Sequence, residues 1–205
     1  MAGAPEWPAL RALLPDLSGL RIVDLGCGFG WFCRWAREQG AAQVLGLDVL
    51  ERMLAQAKAS TADAAIAYER VDLERLDLPE ARFGLAYSSL VLHYIEVAAP
   101  LRAQIHRALV PGGRLVFSME HPIYAAPTRS GWSLDTEGGS AGPSIATLSK
   151  DPAGTIGTTL NLLIRSGFTI RHVEEFCPTA AQIAADPAPA EERERPMFLL
   201  VAAQR

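Results

Sequence analysis

The chain has 205 residues, of which 49% are hydrophobic and 20% charged, and its 19 Lys and Arg against 23 Asp and Glu give a net charge of −4. That balance excludes a broadly cationic nucleic-acid surface. The length allows a single compact domain over residues 1–205, with no need of a disulfide or metal staple.

The order of predicted elements is alternating strand and helix, which favours a mostly parallel sheet covered on both faces. Trp7 to Leu14 reads as a short amphipathic helix, Leu20 to Leu25 as the first strand and Trp31 to Gln39 as a helix stopped by Gly40. Gln43 to Leu47, Ile66 to Val71 and Phe83 to Ser88 read as further strands, with a helix over Leu50 to Lys58. Leu101, Ile105 and Ala108 share helical spacing, Pro111-Gly112-Gly113 reads as a turn, and Arg114 to Met119 follows as a fifth strand. The stretch from about 121 to 157 has no sustained period and includes the linker-like run Glu137 to Pro143, so it reads as an irregular insert on the substrate side. Thr158 to Ser166 reads as a helix, and Phe168 to Glu174 and Met197 to Ala203 as the last strands, with a surface excursion over Pro178 to Pro196.

Cys27, Cys33 and Cys177 have neither a disulfide pattern nor zinc spacing, and no metal-ligand set is expected. Sparse thiols point to a reducing, cytoplasmic setting. No apolar run approaches the roughly 20 residues of a membrane span. Met1 to Trp7 lacks the layout of a signal peptide.

The chemistry concentrates at Ile22-Val23-Asp24-Leu25-Gly26-Cys27-Gly28-Phe29-Gly30-Trp31, where an apolar strand runs through an acid into Gly-x-Gly-x-Gly and then a helix. Dinucleotide folds use a similar turn but want glycine or alanine where this chain has Trp31, and a phosphate would be repelled by Asp24. Asp48 ends the second strand, where a carboxylate can accept both hydroxyls of a ribose, and Asp72 follows the third. Each acid alone reads as a turn or cap residue; three in register with a glycine turn suit a ligand carrying a ribose and a cationic amino-acid tail.

On these residues, with Ser88-Ser89-Leu90-Val91-Leu92-His93-Tyr94, Leu109-Val110-Pro111-Gly112-Gly113-Arg114 and Glu120-His121-Pro122-Ile123-Tyr124, the chain resembles the class I S-adenosylmethionine-dependent methyltransferases of the type 11 domain group. The resemblance implies a Rossmann-like, doubly wound α/β fold with seven strands, mostly parallel, the last one antiparallel. It implies S-adenosyl-L-methionine as cofactor, with Asp24, Gly26, Cys27, Gly28 and Gly30 around its methionine part. Asp48 would hold the ribose, Val49 and Met53 would lie against the adenine, Asp72 and Leu73 would take the adenine amino group, and Ser88 and Ser89 would face the methionine tail and methyl group.

A small-molecule acceptor is expected, with neither nucleic acid nor membrane as partner. His121, His93 and Tyr124 are the candidates for a catalytic base. His106 reads as a solvated residue sharing a face with Arg102, and His172 as a strand residue with no evident partner. A non-catalytic cofactor-binding scaffold and, less well supported, a nucleotide-dependent Rossmann oxidoreductase are the rival readings.

Overall fold

The computed structural model describes residues 4–95, 98–122, 155–185 and 196–205. Its strands are β1 (Arg21–Leu25), β2 (Gln43–Asp48), β3 (Ile66–Arg70), β4 (Phe83–Ser89), β5 (Leu109–Glu120), β6 (Thr169–Phe176) and β7 (Phe198–Gln204). They form one sheet in the order β3-β2-β1-β4-β5-β7-β6. β1 pairs in parallel with β2 and β4, and β5 in parallel with β4. β7 runs antiparallel to both neighbours, β5 and β6, and is the one reversed strand of the seven.

The helices are α1 (Trp7–Ala12), α2 (Trp31–Glu38), α3 (Glu51–Ala59), α4 (Ala98–Ala108), α5 (Ile156–Arg165) and α6 (Ala180–Ala185). Side chains alternate across each strand, so β1 feeds both covering layers. Ile22 joins the cluster formed with Leu10 of α1, Phe32 and Ala36 of α2 and Leu54 of α3. Val23 and Leu25 join the opposite cluster, with Leu101 and Ile105 of α4 and Leu163 of α5. The chain winds outward from β1 through β2 to β3, then returns to the other side of β1 as β4, making the carboxyl ends of β1 and β4 the point where ligands enter folds of this kind.

Several local expectations change. The Pro111-Gly112-Gly113 turn is absorbed into β5, where pairing jumps from Phe83↔Leu109 to Leu85↔Arg114 and the extra residues bulge out. Gly84 lies within β4, where a Cβ would come 2.8 Å from a Leu20 methyl, so a larger residue would push the Leu20 side chain aside. The excursion after Pro178 contains α6, tied to the start of the chain where Gln182 donates to the Pro5 carbonyl at 2.8 Å. His106 is only partly solvated: it is half-buried, its ring packs edge-on to Phe168 at 5.0 Å, and Arg102 on the same helix is 2% exposed. His172 does have a neighbour, with Nε2 3.4 Å from Glu174 Oε2.

Candidate functional site

The glycine turn is built by short-range necessity. Gly26 and Cys27 both donate to the Leu47 carbonyl at 2.8 Å, which fastens the end of β1 to the end of β2. Gly30 caps α2 with φ +69, and a Cβ there would meet the Tyr68 hydroxyl at 2.1 Å. A Cβ on Gly26 would strike Val91 at 2.3 Å. Gly28 differs: with φ +53, its nearest neighbour to a Cβ is Met53 Sδ at 3.7 Å, so the turn's middle is open for a ligand to approach the backbone.

Asp48 is 8% exposed and holds two elements at once. Its Oδ2 accepts from Gly28 N–H and its Oδ1 from Leu50 N–H, each at 2.8 Å. Charge-assisted bonds of this kind fix the carboxylate's orientation and leave further lone pairs for a ligand. Asp24 is 2% exposed and points to the α2 face, where the Cys33 thiol donates to its Oδ2 at 3.2 Å. Burial pushes the Asp24 carboxyl up to about 7; the thiol opposes this and the charge of Asp48 adds to it. Among the described residues neither Asp24 nor Asp48 has an ion-pair partner. Open backbone at Gly28 and two unpaired acids fit a cationic, ribose-bearing cofactor.

Beyond Asp48 the surface turns apolar. Val49 and Leu50 are about half exposed, as is Phe29 in the turn. Phe29, Leu50, Glu51, Arg52, Met53, Ala55 and Gln56 line an open groove of about 830 Å³, which flanks the carboxylates and does not cover them. Asp72 caps a one-turn 3-10 helix over Leu73–Arg75, accepting from Glu74 N–H at 3.0 Å, and the Leu73 side chain is buried in the core. Ser88 is fully buried, and its hydroxyl donates to the Leu25 carbonyl at 2.8 Å. Ser89 turns to the other face, 3.3 Å from the Ser118 hydroxyl.

The base candidates separate. His93 accepts the Glu120 N–H on Nδ1 at 3.3 Å, and burial lowers its pKa against the opposing charge of Glu120. Its neutral ring therefore carries the proton on Nε2, as a donor. His121, just past the end of β5, is 5% exposed, and its Nε2 lies 2.9 Å from Glu175 Oε1 on β6. Tyr124 lies outside the described residues. Sequence reasoning missed Glu175 because strand alternation gives a residue's face but no partner 54 positions away. It also missed Cys33, whose small side chain at the first turn of α2 carried no polar signal.

A methyltransferase domain model matches residues 23–117, the stretch that runs from β1 into β5. The crystal structure of an S-adenosylmethionine-dependent methyltransferase from Mesorhizobium loti is 59% identical, with a TM-score of 0.86 over 100% of this chain and 99% of that one. The chain belongs to the S-adenosylmethionine-dependent methyltransferases. Within this methyltransferase family it is also 36% identical over 110 residues to the malonyl-[acyl-carrier protein] O-methyltransferase of Enterobacter lignolyticus, covering 54% of this chain and 43% of that protein. An uncharacterised Haemophilus influenzae protein is 40% identical over 124 residues, covering 58% of this chain and 49% of its own length. The chain thus matches less than half the length of these two curated relatives. No helix among the described residues is long and apolar enough to cross a membrane.

Proposed function

We propose that this methyltransferase binds S-adenosylmethionine across the carboxyl ends of β1, β2 and β4 and methylates a small-molecule acceptor. The observation that carries the reading is Asp48, held at both oxygens by backbone N–H groups 2.8 Å away and set beside open backbone at Gly28. In this reading Asp48 accepts the ribose hydroxyls, and Val49 and Met53 border the adenine. Asp72, with the Leu73 backbone, takes the adenine amino group through the carboxylate oxygen not spent on Glu74. Asp24 and the turn Gly26-Cys27-Gly28-Phe29-Gly30 surround the methionine end, and Ser89 walls the reacting side, while Ser88, buried against the Leu25 carbonyl, does not reach it. The tryptophan at position 31 and the two unpaired acids weigh against a dinucleotide.

When bound, the cofactor supplies an electrophilic methyl group on a cationic sulfur. The protein's part is to align an acceptor lone pair with that methyl group and keep water out. Where the acceptor carries a proton, we assign its receipt to His121, whose ring is oriented by Glu175 Oε1, 2.9 Å from Nε2. His93 serves as a donor toward the acceptor. The names of the O-methyltransferase relatives favour an oxygen nucleophile. The free thiols of Cys27, Cys33 and Cys177 suit a reducing compartment, and we assign the protein to the cytoplasm on that ground.

Calorimetric titration tests the reading. Micromolar binding of S-adenosylmethionine that is lost in Asp48→Ala supports it. Binding of NAD instead, or an affinity untouched by Asp48→Ala, overturns it.

A further inference from the structure

β6 ends the strand order on the side away from the glycine turn, and its outer edge pairs with no strand among the described residues. An open edge presents a row of backbone N–H and C=O groups that can extend the sheet. Two large apolar side chains left in solvent belong to this end of the fold. Val173 on the strand is 36% exposed, and Ile164 on α5, the helix packed against β6, is 56% exposed.

Strand alternation sorts the side chains of β6. His172 and Glu174 pair with Ala202 and Leu200, so they lie on the α2 side of the sheet, with Nε2 3.4 Å from Oε2. Val173 and Glu175 pair with Val201 and Leu199 and lie on the α5 side. A second copy joined antiparallel across a two-fold axis must set like faces together, so the axis passes through a residue and not between two. Within the regular run from His172 to Phe176, charge chooses that residue. An axis at Glu174 or Glu175 sets a carboxylate against its own copy, which is unfavourable. An axis at His172 drives the irregularity between Ile170 and His172 into the seam. An axis at Val173 sets His172 opposite the partner's Glu174, twice over. It also closes Val173 on the partner's Val173 and brings Arg171 level with the partner's Glu175.

We propose that β6 pairs antiparallel with β6 of a second copy about Val173, joining two seven-stranded sheets into one. The proposal stands apart from the cofactor reading. The same axis brings α5 of each copy toward the seam, with Ile164 among its apolar side chains. One short strand from each copy makes a small interface, so the dimer depends on concentration. The seam runs along the strand that carries Glu175, 2.9 Å from His121, so the partner braces the acid that orients that ring.

Sedimentation velocity over a concentration series tests the pairing. The wild-type chain should pass from monomer to dimer as concentration rises. His172→Glu turns both cross-strand pairs into like charges, and symmetry makes the change count twice, so the dimer Kd should rise by roughly tenfold or more. Val173→Lys sets two ammonium groups on the axis and should weaken the dimer by at least about as much. Both positions are exposed, so thermal melts of these variants should match wild type. Exchanging the pair, His172→Glu with Glu174→His, restores unlike partners and should recover the dimer. A wild-type chain that is monomeric at every concentration overturns the proposal and leaves this edge to an extended segment of a different protein. A dimer indifferent to His172→Glu and Val173→Lys overturns it too, as does an exchanged chain that melts like wild type yet stays monomeric.

Discussion

Replacing Gly28 with alanine would separate what the glycine turn does for the fold from what it does for a ligand. At φ +53 an alanine is strained, at a cost of about 1–2 kcal/mol. The new methyl group meets nothing closer than Met53 Sδ at 3.7 Å, so no packing penalty is added. For a chain of this size, each 1 kcal/mol lowers Tm by about 2–4 °C. Gly30→Ala bears the same backbone strain at φ +69 and also drives a methyl to 2.1 Å from the Tyr68 hydroxyl. Overpacking of that kind adds about 1–3 kcal/mol, so its Tm should fall about twice as far. Cofactor affinity should run the other way relative to stability. Gly28→Ala fills the space from which a ligand reaches the turn's backbone, and its Kd for S-adenosylmethionine should rise at least about tenfold, or 1.4 kcal/mol. Thermal melts and calorimetric titrations of the two variants read both quantities. The reasoning fails if Gly28→Ala binds the cofactor like wild type, or if it melts as low as Gly30→Ala.

Further outcomes follow from the same geometry. Asp24 titrates near 7 in the fold against 3.8 when unperturbed. The folded state therefore holds a proton that the unfolded state has released between those values, and stability falls as pH rises from about 4 to 7, by up to ~4 kcal/mol. Asp24→Asn should flatten that slope in urea melts at pH 5 and pH 8, and an unchanged slope refutes the assignment. Cofactor affinity in the wild type should climb through the same window, because an ammonium favours the ionised acid. Ser88→Ala leaves the Leu25 carbonyl without its 2.8 Å donor and should cost about 1–3 kcal/mol, while the Kd for S-adenosylmethionine stays within about twofold if that hydroxyl is structural; a large loss of affinity would instead make Ser88 a ligand contact. His121→Gln should leave cofactor binding intact and, once an acceptor is in hand, lower turnover by roughly 10²–10⁴; full turnover would remove His121 as the base.

Much of the fold was legible because the determining signals are local. The run from Ile22 to Gly30 declares a buried strand, a forced turn and a helix start within nine residues, and Asp48 declares itself by ending an apolar strand. Gly26, Gly28 and Gly30 look alike in sequence, yet Val91, Tyr68 and open space give them three different neighbours. Nothing in their spacing could say so. The misses share a physical cause: partners supplied from distant parts of the chain. His106 looks polar beside Arg102 on a helix, but Phe168, distant in the chain, packs edge-on against its ring. Ser88 looks like a ligand-facing hydroxyl until the Leu25 carbonyl of the adjacent strand claims it.

The reversed strand has a consequence for how the protein is made. β7 sits between β5 and β6 but follows both in the chain, so during synthesis β6 leaves the ribosome with no strand to pair with. Until residues 198–204 arrive, β5 and β6 each present an unpaired edge, a template for pairing with another chain. The half of the sheet that carries the glycine turn and Asp48 can form earlier, since β1 to β4 pair only among themselves and with β5. The junction of Glu175 and His121 waits for the last strand to bridge it. A nascent chain would therefore acquire the cofactor half of its site before the half that receives a proton, with the interval between them the period of greatest exposure to aggregation.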